Sequence, residues 1–203
     1  MDNNSNIVLI GMPGAGKSTV GIILAKMTSC DFIDTDILIQ LSTGRSLQEI
    51  VDTEGPLALR RIEEEVILSL RGRHHVIATG GSAVYSAAAM DHLRLNGTIV
   101  FLDVDLSTLT SRIHNIHSRG IAKQPEQSLE DLFEERLVLY RKYADITIAC
   151  AGLSQEEVCT QIIERTTGPD WQNSISRHPR LSGIGRRNIL NDKKDSGRTG
   201  MTK

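Results

Sequence analysis

The stretch IVLIGMPGAGKSTVGIILAK, Ile7 to Lys26, changes its period halfway. Ile7 to Ile10 is a continuous apolar run, as in a strand buried on both faces, and beyond Lys17 the apolar residues return at helical spacing. Between the two, Gly11-Met12-Pro13-Gly14-Ala15-Gly16-Lys17-Ser18 satisfies the pattern G-x-x-x-x-G-K-[ST]. Glycines let the backbone curl until successive N–H groups face one point, and the helix opening near Lys17 adds the positive end of its dipole. Lys17 would reach the β- and γ-phosphates of a nucleotide, and Ser18 would ligate Mg²⁺. A chance match in a chain this size is on the order of one in a hundred. The strand before and the helix after are the context that the motif requires, so the stretch reads as a nucleotide-phosphate site.

The 203 residues, 39% hydrophobic and 24% charged, suit one globular domain with an adequate core. With 3% aromatics, that core must be built from Ile, Leu, Val and Ala. A net charge of −2 gives no reason to expect a nucleic-acid or acidic-membrane partner. Cys30, Cys150 and Cys159 are odd in number and widely spaced, which reads as reduced thiols, and no apolar run has the length of a signal peptide or membrane span. These features predict a cytoplasmic monomer. From Gly168 onward basic residues such as Arg186, Arg187, Lys193 and Lys194 outnumber acids and apolar periodicity fades. The expected organisation is therefore a folded domain over 1–167 and a basic, disordered tail over 168–203.

β-rich runs occur at 6–10, 31–34, 76–79, 98–102 and 145–149. Helical patterns lie between them: 17–28, a pair over 37–71 with a break near Gly55-Pro56, 83–94, 106–114, 129–143 and 155–165. Ser128 with Asp131 and Ser154 with Glu157 have capping-box spacing. Alternating strands and helices predict an α/β fold, a five-stranded parallel sheet with helices on both faces. The segment IHSRGIAKQPEQ, part of a stretch at about 115–127, has the length and composition of a mobile lid.

Among phosphate-loop proteins, a GTPase would carry N-K-x-D, which is absent, and a motor ATPase would carry an apolar strand ending in acids, where this chain has VIATGG. A small chain with a lid favours a kinase acting on a small acceptor. In FIDTDILI, Asp34 and Asp36 stand two apart at a strand end, where ligands of such sheets gather. One could orient the metal shell or accept a hydroxyl proton while the other grips the acceptor. The alternative is a helix cap plus a first-turn acid. Arg136 falls within the apolar stripe Leu129, Leu132, Phe133, Leu137, Tyr140, so it either meets an anion or snorkels to the surface. Arg60 is less diagnostic, since Glu63 and Glu64 could pair with it at helical spacing.

The motifs GMPGAGKST, DTD, EGPLALRRIEEEV, ATGGS and ERLVLYRKYADITI resemble those of shikimate kinases in order and spacing, over about residues 6–165. The resemblance implies a three-layer α/β/α phosphate-loop kinase of the nucleoside-monophosphate-kinase type that uses ATP and Mg²⁺ to phosphorylate a hydroxyl of shikimate, on the route to chorismate and aromatic amino acids. It implies that Gly11, Gly14, Ala15, Gly16, Lys17, Ser18 and Thr19 hold the ATP phosphates, and that Ser18 and Asp34 organise Mg²⁺. Asp36 would bind ring hydroxyls and take up the proton. Arg60 and Arg136 would clamp the acceptor carboxylate, and Gly80 and Gly81 would line the acceptor site with backbone. Arg112 would lie against adenine, and Arg119 would swing from the lid onto the transferring phosphoryl group.

Three positions depart from the family pattern. The lid runs Arg119-Gly120-Ile121-Ala122 where Arg-Pro-Leu-Leu is usual, Ser82 replaces a third glycine, and Leu59 replaces a phenylalanine. The donor half is intact and the acceptor half altered, so a kinase for another small hydroxy acid or amino acid stays open. So does a non-catalytic nucleotide-binding regulator whose basic tail is the contact element.

Overall fold

The computed structural model describes residues 5–112, 121–123 and 126–167. Arg119, most of the expected lid and the basic tail lie outside the described residues. Five strands, β1 (Asn6–Ile10), β2 (Asp31–Asp34), β3 (His75–Ala78), β4 (Gly97–Asp103) and β5 (Ile146–Ala149), form one sheet in the order β2-β3-β1-β4-β5. Every pairing is parallel. β1 is buried at every position. That requires cover on both faces, and two groups of helices supply it. α1 (Lys17–Thr28) packs on α8 (Gln155–Thr167) and on β2 and β3, whereas α4 (Pro56–Ser69) packs on α5 (Ala87–Leu95), which lies on β4 beside α7 (Leu129–Tyr143).

After β1 the chain runs to one edge of the sheet and back through β3, then crosses β1 to β4 and β5. The reversal opens a crevice at the carboxyl end of β1, where such sheets bind ligands. The phosphate loop begins there. Gly11 has φ 147°, and a Cβ at this position would lie 2.9 Å from the Leu102 carbonyl of the neighbouring strand, so only glycine lets the loop leave the sheet this way.

Two expectations change. The pair of helices over 37–71 is three: α2 (Thr35–Thr43), α3 (Leu47–Glu54) and α4. Gly44 ends α2 in the left-handed region, and Ser46 opens α3 with a reciprocal capping box to Glu49. The helix expected at 83–94 is a 3₁₀ turn, Ala83–Tyr85, followed by α5, because Ser86 caps α5 through the Ala89 amide. α6 (Leu106–Arg112) accounts for the next expected helix as far as the described residues go. The boxes at Ser128–Asp131 and Ser154–Glu157 both form. No helix among the described residues is long and apolar enough to cross a membrane.

Candidate active site

A cavity of about 710 Å³ opens over the phosphate loop. Gly14, Gly16, Lys17, Ser18 and Thr19 line its donor end, together with Arg112, whose Nη1 reaches the Gly14 carbonyl at 3.4 Å. Gly16 caps α1 in the left-handed region with no side chain of its own, leaving the first amides of the helix open. The Lys17 amine donates to the carbonyls of Gly11 (2.7 Å) and Met12 (3.0 Å), which folds it over the loop. Burial lowers its pKa to about 8 against the opposing pull of Asp36. Gly11, Ala15 and Asp34 are not among the lining residues.

Asp34 is the N-cap of α2, its Oδ1 accepting the amides of Asp36 and Ile37, while its Oδ2 accepts the Ser18 hydroxyl at 2.6 Å. The same carboxylate thus caps α2 and holds the Ser18 hydroxyl, and because α2 starts between the two acids at Thr35 they stand as a helix cap and a first-turn acid. The Ser18–Asp34 oxygen pair beside the loop fits Mg²⁺, which takes few protein ligands and keeps water and phosphate oxygens. Among the described residues no group of three or more acidic, His or Cys side chains is placed to cage a metal alone.

Asp36, from the first turn of α2, lines the other half of the cavity, and burial raises its pKa while Lys17 pulls it down. Beside it Glu63 turns inward from α4, 2% exposed. Glu63 neither orients Arg60 nor decorates the surface: its Oε2 accepts the Ser82 hydroxyl at 2.5 Å and its Oε1 has no partner. Burial lifts its pKa to about 7, with the Ser82 hydrogen bond opposing. Gly80 runs between the two acids. A Cβ there would meet Glu63 Oε1 at 2.2 Å and Asp36 Oδ1 at 2.7 Å. Gly81 is hemmed in by Pro13 and by Arg136 Nη1, at 2.8 and 2.9 Å from its would-be Cβ.

Arg136 is 1% exposed and does not snorkel. Leu132, Arg136 and Tyr140 recur every four residues along α7, so the stripe that buries leucine and tyrosine also buries the guanidinium. Tyr140 pins the helix by donating to the Gly81 carbonyl at 2.7 Å. Arg136 donates through Nη2 to the Ala122 carbonyl (2.7 Å) and through Nε to the Tyr85 hydroxyl (3.4 Å). Among the described residues no carboxylate reaches it at salt-bridge distance. Leu59 and Ala122 pack with Ile39 and Ile50 in a buried cluster and line the apolar side of the cavity.

Ten of the predicted residues therefore line one cavity: Gly14, Gly16, Lys17, Ser18, Thr19, Asp36, Gly80, Gly81, Arg112 and Arg136. Arg60 does not. Its guanidinium lies 3.5 Å over the Tyr85 ring, in an adjoining cavity of about 280 Å³, and it pairs with neither Glu63 nor Glu64. Gln155, at the start of α8, lines the main cavity, and Tyr85 touches both predicted arginines; sequence reasoning singled out neither.

The sequence profile of shikimate kinases matches residues 13–167. The chain belongs to the shikimate kinase family. It is 39% identical over 167 residues to the shikimate kinase of Halorhodospira halophila, covering 81% of this chain and 94% of that one. With the shikimate kinase of Thiobacillus denitrificans it shares 38% over 157 residues, 76% of this chain and 86% of the relative. The fold is similar to that of a shikimate kinase from Acinetobacter baumannii in complex with shikimate, with a TM-score of 0.72, 32% identity, and coverage of 79% and 92%. The resemblance of the motifs and the five-stranded fold are thereby confirmed.

Proposed function

We propose that this protein transfers the γ-phosphoryl group of ATP to a hydroxyl of shikimate. The observation that carries the acceptor's chemistry is Arg136. A guanidinium buried without a carboxylate partner costs several kcal/mol, which one carbonyl and one phenol offset only in part. It faces the cavity that begins at the phosphate loop, so it suits the carboxylate of an acceptor held next to the nucleotide. Asp36, in the same cavity, suits that acceptor's hydroxyls. Each such charge-assisted hydrogen bond contributes about 1.5–3 kcal/mol.

The loop amides and Lys17 would hold the phosphates, with Arg112 at the adenine end, and Ser18 and Asp34 would hold Mg²⁺. The metal, when bound, neutralises charge on the phosphate oxygens. Asp36 accepts the proton as the acceptor oxygen bonds to the γ-phosphorus. The bond from that phosphorus to the bridging oxygen breaks, and ADP leaves with the electron pair. Gly80 and Gly81 bring backbone against the acceptor because side chains there would strike Asp36, Glu63 and Arg136. Arg60 is the second clamp and Arg119 the lid arginine. Closure over the site would exclude water as a competing acceptor. Free thiols at Cys30, Cys150 and Cys159 support action in the cytoplasm, and a near-neutral charge supports work without nucleic acid.

The test is ADP release from ATP and Mg²⁺ with a panel of acceptors: shikimate, other cyclic and open-chain hydroxy acids, and hydroxyamino acids. Shikimate should give the highest kcat/KM. Faster turnover of another acceptor overturns the substrate, and no turnover with any of them overturns the kinase reading.

A further inference from the structure

Tyr85 closes the short 3₁₀ turn that follows the glycine pair, and it touches two guanidiniums from two other elements. Arg60, from α4, places its Cζ 3.5 Å from the ring centroid. Arg136, from α7, places its Cζ 5.4 Å from the same centroid and donates through Nε to the phenol oxygen at 3.4 Å. Arg60 is held by the face of that ring. Its Nε is buried without a hydrogen-bond partner, and among the described residues no carboxylate reaches it at salt-bridge distance. Two cations brought together repel; the electron-rich face of an aromatic ring shared between them attracts both. Ser82 lines both the main cavity and the smaller one lined by Arg60 and Tyr85, so the two cavities adjoin at Ser82.

We infer that Tyr85 is a positioning residue for acceptor binding: its ring seats the Arg60 guanidinium while its hydroxyl holds Arg136, so one side chain sets the spacing of the two cations. This rests on the reading of Arg60 and Arg136 as the groups that receive the acceptor's carboxylate. Tyr85 itself touches no reacting atom. Loss of the ring should therefore weaken acceptor binding and spare both nucleotide binding and the chemical step.

The experiment is a double-mutant cycle with steady-state kinetics on shikimate and ATP, using Tyr85→Phe and Tyr85→Leu in the parent and in Arg60→Ala. Tyr85→Leu should raise the KM for shikimate about tenfold, the size of effect that a desolvated cation–π contact gives, with kcat within about twofold and the KM for ATP unchanged. Tyr85→Phe, which keeps the stack, should stay within about threefold of the parent. In Arg60→Ala, the further change to leucine should add no more than about threefold, because the Arg60 partner is already gone and only the contact with Arg136 remains to be lost. Thermal melting checks the fold, and Tyr85→Met supplies the same comparison should the leucine variant fold poorly. A shikimate KM unchanged in Tyr85→Leu, an equal rise in the Arg60→Ala background, or a matching rise in the KM for ATP overturns the inference while leaving the kinase reading intact. A parent protein that does not turn over shikimate contradicts the functional reading and this inference with it.

Discussion

Replacing Glu63 with glutamine removes a charge that the fold holds in an unfavourable place. The carboxyl is 2% exposed, one oxygen bonded to Ser82 and the other to nothing. Burial raises its pKa from 4.5 to about 7, with Asp36 adding to the rise and Ser82, Arg136 and Lys17 opposing it. Between these two values the native state holds a proton that the unfolded chain has released. The stability from this group is therefore fully present below pH 4.5 and is lost as pH rises through 7. A shift of this size corresponds to on the order of 3 kcal/mol. Glutamine cannot titrate, and Ser82 can still donate to its amide oxygen. Urea unfolding of parent and variant, without nucleotide, should show the variant gaining on the parent by on the order of 3 kcal/mol between pH 4.5 and 8, or roughly 6–12 °C in Tm. Any fixed offset from the new amide is independent of pH and drops out of the slope. A difference that stays flat across this range would refute the claim that Glu63 is a strained, inward-facing acid.

Three further outcomes test the site. Asp36→Asn should lower kcat by at least 10² while ATP binding, read by calorimetry, stays within a few-fold of the parent; turnover close to the parent would remove Asp36 from the base role. Gly80→Ala should fold, because the atoms in its way are side-chain ends, yet it should raise the KM for the acceptor and lower kcat by displacing both Asp36 and Glu63. Ser18→Ala should raise the Mg²⁺ concentration needed for half-maximal rate while leaving binding of metal-free nucleotide nearly unchanged; an unaltered Mg²⁺ requirement would detach Ser18 from the metal.

Much of this architecture was legible because its signals are local. The glycine spacing before Lys17 marks the loop whatever surrounds it, and the β1 and β2 runs match the strands at both ends. Arg136 was legible as an anomaly, a cation in a leucine stripe, although only packing decided that it stays buried. The split at Gly44 was missed although Ser46-x-x-Glu49 is the same capping signal used at Ser128. Glu63 and Arg60 misled because helical spacing suggests a pair, whereas tertiary packing sends one toward Ser82 and the other onto Tyr85. Tyr85 carried no sequence signal: its meaning comes from α4, the 3₁₀ turn and α7 meeting at one ring.

In the proposed reaction Arg136 receives the acceptor's carboxylate. The most direct measurement compares kcat/KM for shikimate and for its methyl ester in the parent protein and in Arg136→Met. The parent should prefer the free acid by at least about tenfold, the worth of one charge-assisted hydrogen bond, and the variant, left with Arg60 alone, should lose most of that preference. An ester used as well as the acid by the parent, or a preference that survives intact in Arg136→Met, would contradict this role.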